Sequence, residues 1–187
     1  MRKWLALLLV CLLVPFAAMA ESELVTYEFA DFDINLPADA IGDVYEKVNN
    51  EVYFVVLPDY NENDVFHPNL NCVWVEGYDD MDTINANSTA QFILNSAVSQ
   101  MAAQNITVTN EKLLAAAKED INGKPGLVIC FSYDISYDAS MEPLTLYAFQ
   151  AIASHESIGT YTFTITTHDI NTVESILGYV DTIVWTK

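Results

Sequence analysis

The run Asp79-Asp80-Met81-Asp82, followed by Asn85 and Asn87, comes nearest to a definite chemistry in this sequence. Carboxylates and amide carbonyls packed this closely offer oxygen to a hard cation, and Ca²⁺ takes about six to eight such ligands. The run lacks the glycine and the closing glutamate of an EF-hand loop. It therefore reads either as a calcium site built from Asp79, Asp80, Asp82 and Asn85 or as a solvated acidic loop. Asp59, Glu62 and Asp64 form a second, weaker cluster. His67, His155 and His168 are scattered, with no i, i+4 pair, and read as surface histidines rather than metal ligands. A nucleophile needs a base and a group to orient that base. Ser132, Ser157 and Cys130 stand in no G-x-S-x-G or comparable context, and acids are too abundant here for paired carboxylates to signal glycosidase chemistry. No constellation requires a particular reaction.

The chain opens with Arg2 and Lys3, an apolar run from Trp4 to Phe16, and Ala18-Met19-Ala20. That is the n-region, h-region and cleavage site of a secretory signal. The apolar run is shorter than the ~18 residues a membrane span needs. Residues 1–20 are thus expected to be removed, leaving an exported chain from Glu21 with no membrane span. Cys11 sits mid-run, which is the wrong place for a lipid-modified N-terminus. Cleavage removes both Arg2 and Lys3 and no acid, so the formal charge moves from −19 to −21. No arginine remains. A nucleic-acid partner calls for the opposite sign along its contact face, and that class is excluded. Guanidinium clamps for phosphate are absent too. Cys72 and Cys130 survive processing. Export permits a disulfide between them, and two buried thiols are the alternative.

These residues need elements to position them. Leu127, Ile129, Phe131, Tyr133 and Ile135 alternate with smaller or polar residues, which predicts a strand with one buried and one wetter face. Asn122-Gly123 and Pro125-Gly126 predict the turn before it. Tyr161, Phe163 and Ile165 repeat the alternation against a ladder of threonines. Short strands are expected within Val25–Leu36, a buried strand over Val52–Leu57, and further strands over Leu70–Tyr78, Leu144–Ser154 and Gly159–Thr167. A short helical turn is expected near Asp43–Lys47. Ser88-Thr89-Ala90-Gln91 has the form of a capping box. The helix it opens is expected to turn Phe92, Ile93, Ala97, Val98 and Met101 toward the sheet. Asn171 to Glu174 looks like a second cap, before a stripe of Val173, Ile176, Leu177, Val180 and Ile183. Ile106–Asp120 has strong helix formers in Glu111–Lys118, yet it runs into the turn at Asn122. The strand beyond that turn needs an antiparallel neighbour, so the segment is read as mostly strand.

The expected architecture is α+β: one domain over 21–187, an antiparallel β-sheet with the two main helices packed side by side on one face. The element order, with Phe32-Asp-Ile-Asn-Leu-Pro37, Ile121-Asn-Gly-Lys-Pro-Gly126 and the closing helix ending in Ile183, resembles the PsbP-like α/β sandwich superfamily. That group takes in the photosystem II extrinsic protein PsbP and bacterial relatives of the DcrB and LpqN kind. The resemblance implies a non-enzymatic domain that docks on a protein or cell-envelope partner. The alternatives are calcium-dependent binding through the acidic loops, with calcium the one cofactor suggested, and a hydrolase of unknown type.

Overall fold

The computed structural model describes residues 24–38, 51–52, 66–137 and 142–187. In chain order the elements are β1 (Leu24–Glu28), β2 (Phe32–Pro37), β3 (Glu51–Val52), β4 (Asn69–Val75), α1 (Ala86–Ala103), β5 (Thr107–Ile121), β6 (Lys124–Ser136), β7 (Leu144–His155), β8 (Gly159–Thr167), α2 (Ile170–Val180) and β9 (Val184–Trp185). They form a six-stranded antiparallel sheet, β3-β4-β8-β7-β6-β5, and a three-stranded one, β1-β2-β9. The leader, Asp43–Lys47, most of Val52–Leu57 and the Asp59/Glu62/Asp64 cluster lie outside the described residues.

The β5–β6 hairpin closes on Asn122 and Gly123 alone, at φ 53° and 96°. Both central residues at positive φ are what a two-residue turn of the primed type demands. The expected second turn at Pro125-Gly126 is instead the start of β6. Gly126 is there for closeness rather than for turning. A Cβ at that position would lie 2.4 Å from the Ile152 carbonyl oxygen and 2.5 Å from Ile121 Cγ1. The Asn122 side chain also donates to the carbonyls of Val180 (3.0 Å) and Ile183 (3.1 Å), so the turn ties down the end of α2.

Ile106–Asp120 is strand, as expected: β5 pairs with β6 along nearly its whole length, with two register breaks. Pairing overrides the helix formers because α1 ends abruptly just upstream. Asn105, at φ 64°, turns the chain, while Asn105 N–H donates to Ala102 O and Ile106 N–H to Met101 O. That is a Schellman closure, with the half-buried Met101 and Ile106 both packed against the same core cluster.

Two expectations about the helices are corrected. First, they lie on opposite faces of the large sheet. Leu127, Ile129, Phe131, Leu146 and Ala148 pack with Ala90 and Leu94 of α1. Val128, Phe149, Ala151, Tyr161, Phe163 and Ile165 pack with α2 and with Phe32, Ile34 and Leu36 of the small sheet. The reason is that β6 and β7 are apolar on both faces, not one; Val128 and Ala151 are as buried as their neighbours. The molecule thus has three layers: α1, the large sheet, then α2 with the small sheet.

Second, the caps and the inward stripe of α1 are displaced. Its cap is Asn85, whose Oδ1 accepts from Ser88 N at 3.0 Å, not Ser88. The residues facing the sheet are Ala90 and Leu94, flanked by the half-buried Ile93, Val98 and Met101, while Phe92 is 71% exposed. In α2 the cap is Asp169, accepting from Asn171 N, and the stripe from Val173 to Ile183 is buried as expected.

Of the two readings left open for Cys72 and Cys130, the structure shows no disulfide between them, with Cys72 buried and Cys130 half-buried. They sit on β4 and β6, three strand positions apart. That separation is about 14 Å at ordinary strand spacing, roughly twice what a disulfide spans. Burial pushes the Cys72 thiol well up, so it behaves as an inert core group.

Three substitutions test this packing. Leu94→Ala should cost about 2–5 kcal/mol in urea unfolding, whereas Phe92→Ala should stay within about 0.5 kcal/mol of the parent. Gly126→Ala should destabilise by about 1–3 kcal/mol, since the added methyl meets backbone that cannot rotate away. Equal effects at positions 92 and 94 would mean that α1 faces the sheet differently.

Candidate functional site

The acidic loop is held at its start by a hydroxyl network. Ser154 Oγ accepts from Asp79 N (2.8 Å) and contacts Thr160 Oγ1 (2.8 Å), which donates to the Gly77 carbonyl (3.0 Å). Within the loop, Asp80 Oδ1 accepts from Asp82 N (3.0 Å), and the Asp80 carbonyl accepts from Thr83. Lys118 donates to the Asp82 carbonyl (2.8 Å), and Asn85 caps α1. The proposed calcium ligands Asp79, Asp80, Asp82 and Asn85 thus include two whose side-chain oxygens already accept from local backbone N–H groups. Among the described residues, no three His, Cys, Asp or Glu side chains gather as they would to hold a metal ion.

The histidines do not converge. His67 lies before β4, where its carbonyl accepts from Asn69. His168, after β8, meets the Phe66 ring edge-on at 6.4 Å. His155 closes β7, and its Nδ1 sits 2.9 Å from Ser157 Oγ while accepting from Ser157 N at 3.2 Å. Lys124 Nζ donates to the same hydroxyl at 2.9 Å. The Ser–His contact is local, two residues apart in a hairpin turn, and it fixes the shape of that turn. Ser132 is buried on β6 beside Phe131.

A cleft of about 330 Å³ lies beside this hairpin, which periodicity did not point to. Its walls come from the β1–β2 turn (Ala30, Asp31), the end of β4 (Trp74, Glu76, Gly77, Tyr78), the β7–β8 turn (Glu156 to Gly159) and Lys187. Asp31 is only 5% exposed. Its Oδ2 accepts from the Tyr161 hydroxyl at 2.6 Å, and its Oδ1 pairs with Lys187 Nζ at 2.5 Å. Burial, then the hydrogen bond to Asp31 and the charge of its carboxylate, raises Tyr161 far above the ordinary phenol range, so it stays a donor. Trp74 Nε1 donates to the Ile158 carbonyl at 2.7 Å. A Cβ on Gly159, which sits at φ 75°, would fall 2.8 Å from the Val75 carbonyl and 2.9 Å from Trp74 Nε1. The hairpin backbone therefore lies close against the N–H edge of the indole. Sequence alone held one usable signal for this site: Asp31, an acid between Phe29 and Phe32 in a stretch that otherwise builds the core.

A second surface stands out by what it lacks. The 18 residues of α1 include no charged side chain, in a chain of net charge −19. Phe92 projects from it, and α1 packs mainly on β5, the edge strand of the large sheet. Among the described residues, no helix is long and apolar enough to cross a membrane.

No protein-family model and no curated protein matches this chain by sequence. Solved structures do match by shape. PsbP from the cyanobacterium Synechocystis sp. PCC 6803 superimposes with a TM-score of 0.56 at 11% identity, covering 92% of this chain and 98% of that one. The Ran-binding protein Mog1p of Saccharomyces cerevisiae gives 0.49 at 11% identity, covering 86% and 85%. PA94 of Pseudomonas aeruginosa, a protein of unknown function, gives 0.45 at 14% identity, covering 87% and 97%. The likeness to cyanobacterial PsbP spans nearly all of both chains, and this chain has the PsbP-like fold.

Proposed function

We propose that this protein is an exported, non-enzymatic interaction module that docks on a protein partner of the cell envelope or its surroundings. The observation that carries the reading is the charge-free helix α1 with Phe92 set on it. A strongly acidic surface repels most approaches by acidic neighbours and keeps the chain soluble. Interface cores are depleted in charge and enriched in aromatic residues, because desolvating a charge costs more than burying an apolar ring returns. α1 is the helix that meets both conditions. The occupant that fits is a partner surface with little charge of its own and an apolar recess for one phenyl ring. The secretory pattern of residues 1–20 supports placing the encounter outside the cytoplasm. The fold itself is compatible with this reading and does not choose among functions.

The test is capture from native envelope and medium with three baits: the processed chain, Phe92→Asp, and Glu174→Gln as a distant surface control. The reading expects one defined partner with the parent and the control, and about tenfold less or lower with Phe92→Asp, the loss typical of a central aromatic anchor. Phe92→Asp should keep the parent's melting temperature, since the ring contributes little to the core. Failure to capture any reproducible partner, or equal capture by all three baits, ends the proposal.

A further inference from the structure

The Asp31 cleft holds a buried carboxylate paired with an ammonium group of the same chain. Asp31 is almost wholly buried, yet its ionic partner Lys187 has a side chain 56% exposed. A carboxylate taken out of water creates a standing demand for a cation and hydrogen-bond donors. Tyr161 meets part of that demand from the core side, and Lys187 meets part of it from the open side. The remaining walls suit the same chemistry. Trp74 and Tyr78 offer aromatic surface to an alkyl chain and to a positive head group, and the Trp74 ring is held by its bond to Ile158. Glu76 and Glu156 on the lining disfavour anions and favour a second positive charge. The volume of about 330 Å³ falls at the small end of ligand sites.

We propose that this cleft binds small primary alkylammonium compounds, mono- or diamines, and that the Lys187 side chain is an intramolecular competitor that occupies the ammonium position until such a ligand displaces it. The proposal is independent of what docks on α1, which lies against β5 and β6 rather than beside this cleft. The competing account is that Asp31–Lys187 is only a structural tie between the β1–β2 turn and the segment after β9.

Chemical rescue separates the two. Lys187→Ala removes the tethered ammonium and leaves a side chain that n-propylammonium completes. Melting of the parent, Lys187→Ala, and Asp31→Asn combined with Lys187→Ala would be followed against n-propylammonium, cadaverine, tetramethylammonium and sodium chloride at equal ionic strength. The expected result is a lowered melting temperature for Lys187→Ala that n-propylammonium and cadaverine restore. The apparent affinity should be about tenfold tighter than for the parent, as removal of an internal competitor dictates. Tetramethylammonium, which has no N–H to give Asp31, and sodium should not restore it, and the double variant should not respond. A second reading comes from the folded parent: cadaverine should shift the indole N–H resonance of Trp74, and Asp31→Asn should abolish that shift. Equal responses in all variants would mean diffuse attraction to an acidic surface and would overturn the proposal. So would a lowered melting temperature that no amine restores, or a Trp74 shift that survives Asp31→Asn.

Discussion

Two neighbouring strands with apolar side chains on both faces impose the form of this molecule. Along β6, Leu127, Ile129 and Phe131 point one way and Val128 points the other, and all are buried. β7 repeats the arrangement with Leu146 and Ala148 against Phe149 and Ala151. A sheet of this kind cannot leave either face to water, because each large apolar side chain so exposed would forfeit about 1.5–3 kcal/mol. One helix cannot cover both faces. α1 therefore roofs one side, over β5 and β6, while α2 and the small sheet close the other. Thr160, Thr162, Thr164 and Thr166 of β8 fall on the α1 side beyond that helix's main contacts, where a half-buried β-branched hydroxyl is at home.

The small sheet joins the large one through rings. Phe32 lies 5.3 Å from Tyr161, 5.4 Å from Phe163 and 5.6 Å from Trp185 between centroids, all in edge-on geometries that favour aromatic contact. Polar groups are then confined to the border of this cluster. Trp185 Nε1 donates to the Ile121 carbonyl, Thr186 N to the Asp31 carbonyl, and Tyr161 to the Asp31 carboxylate. The cleft forms where that border reaches solvent. Its one buried carboxylate belongs to the joint between sheets, so structural need and binding capacity meet in a single side chain.

Charge is distributed with the same economy of placement. Lys112, Lys118 and Lys124 fall on β5 and β6, and Lys187 is in the cleft. α1 next to β5 has no charge at all. β5 itself mixes Lys112 and Lys118 with Glu111, Glu119 and Asp120, so it is α1 that presents a charge-free surface on this side. Two register breaks and two lysines on β5 are also the usual devices that discourage indiscriminate strand pairing at an open edge.

Local pattern determined much of this. Alternation marked β6 and β8, the i, i+3, i+4 stripe marked α2, and Asn122-Gly123 marked the hairpin, because each depends on side-chain direction within one element. Pairing demand correctly made β5 a strand against its helix formers. What local pattern could not determine was which face each helix covers. Val128 and Ala151 are small enough to read as the wetter side of a strand until another layer is found lying on them. The inward face of α1 escaped for a related reason: with no charges to mark its outside, Phe92 read as core-facing and Leu94 did not. Beyond the hint that Asp31 gave, the cleft was a tertiary outcome. Asp31, Trp74, Tyr161 and Lys187 are far apart in the chain, and only the closing of one sheet on another turns an unremarkable acid into a buried carboxylate with a cation in reach.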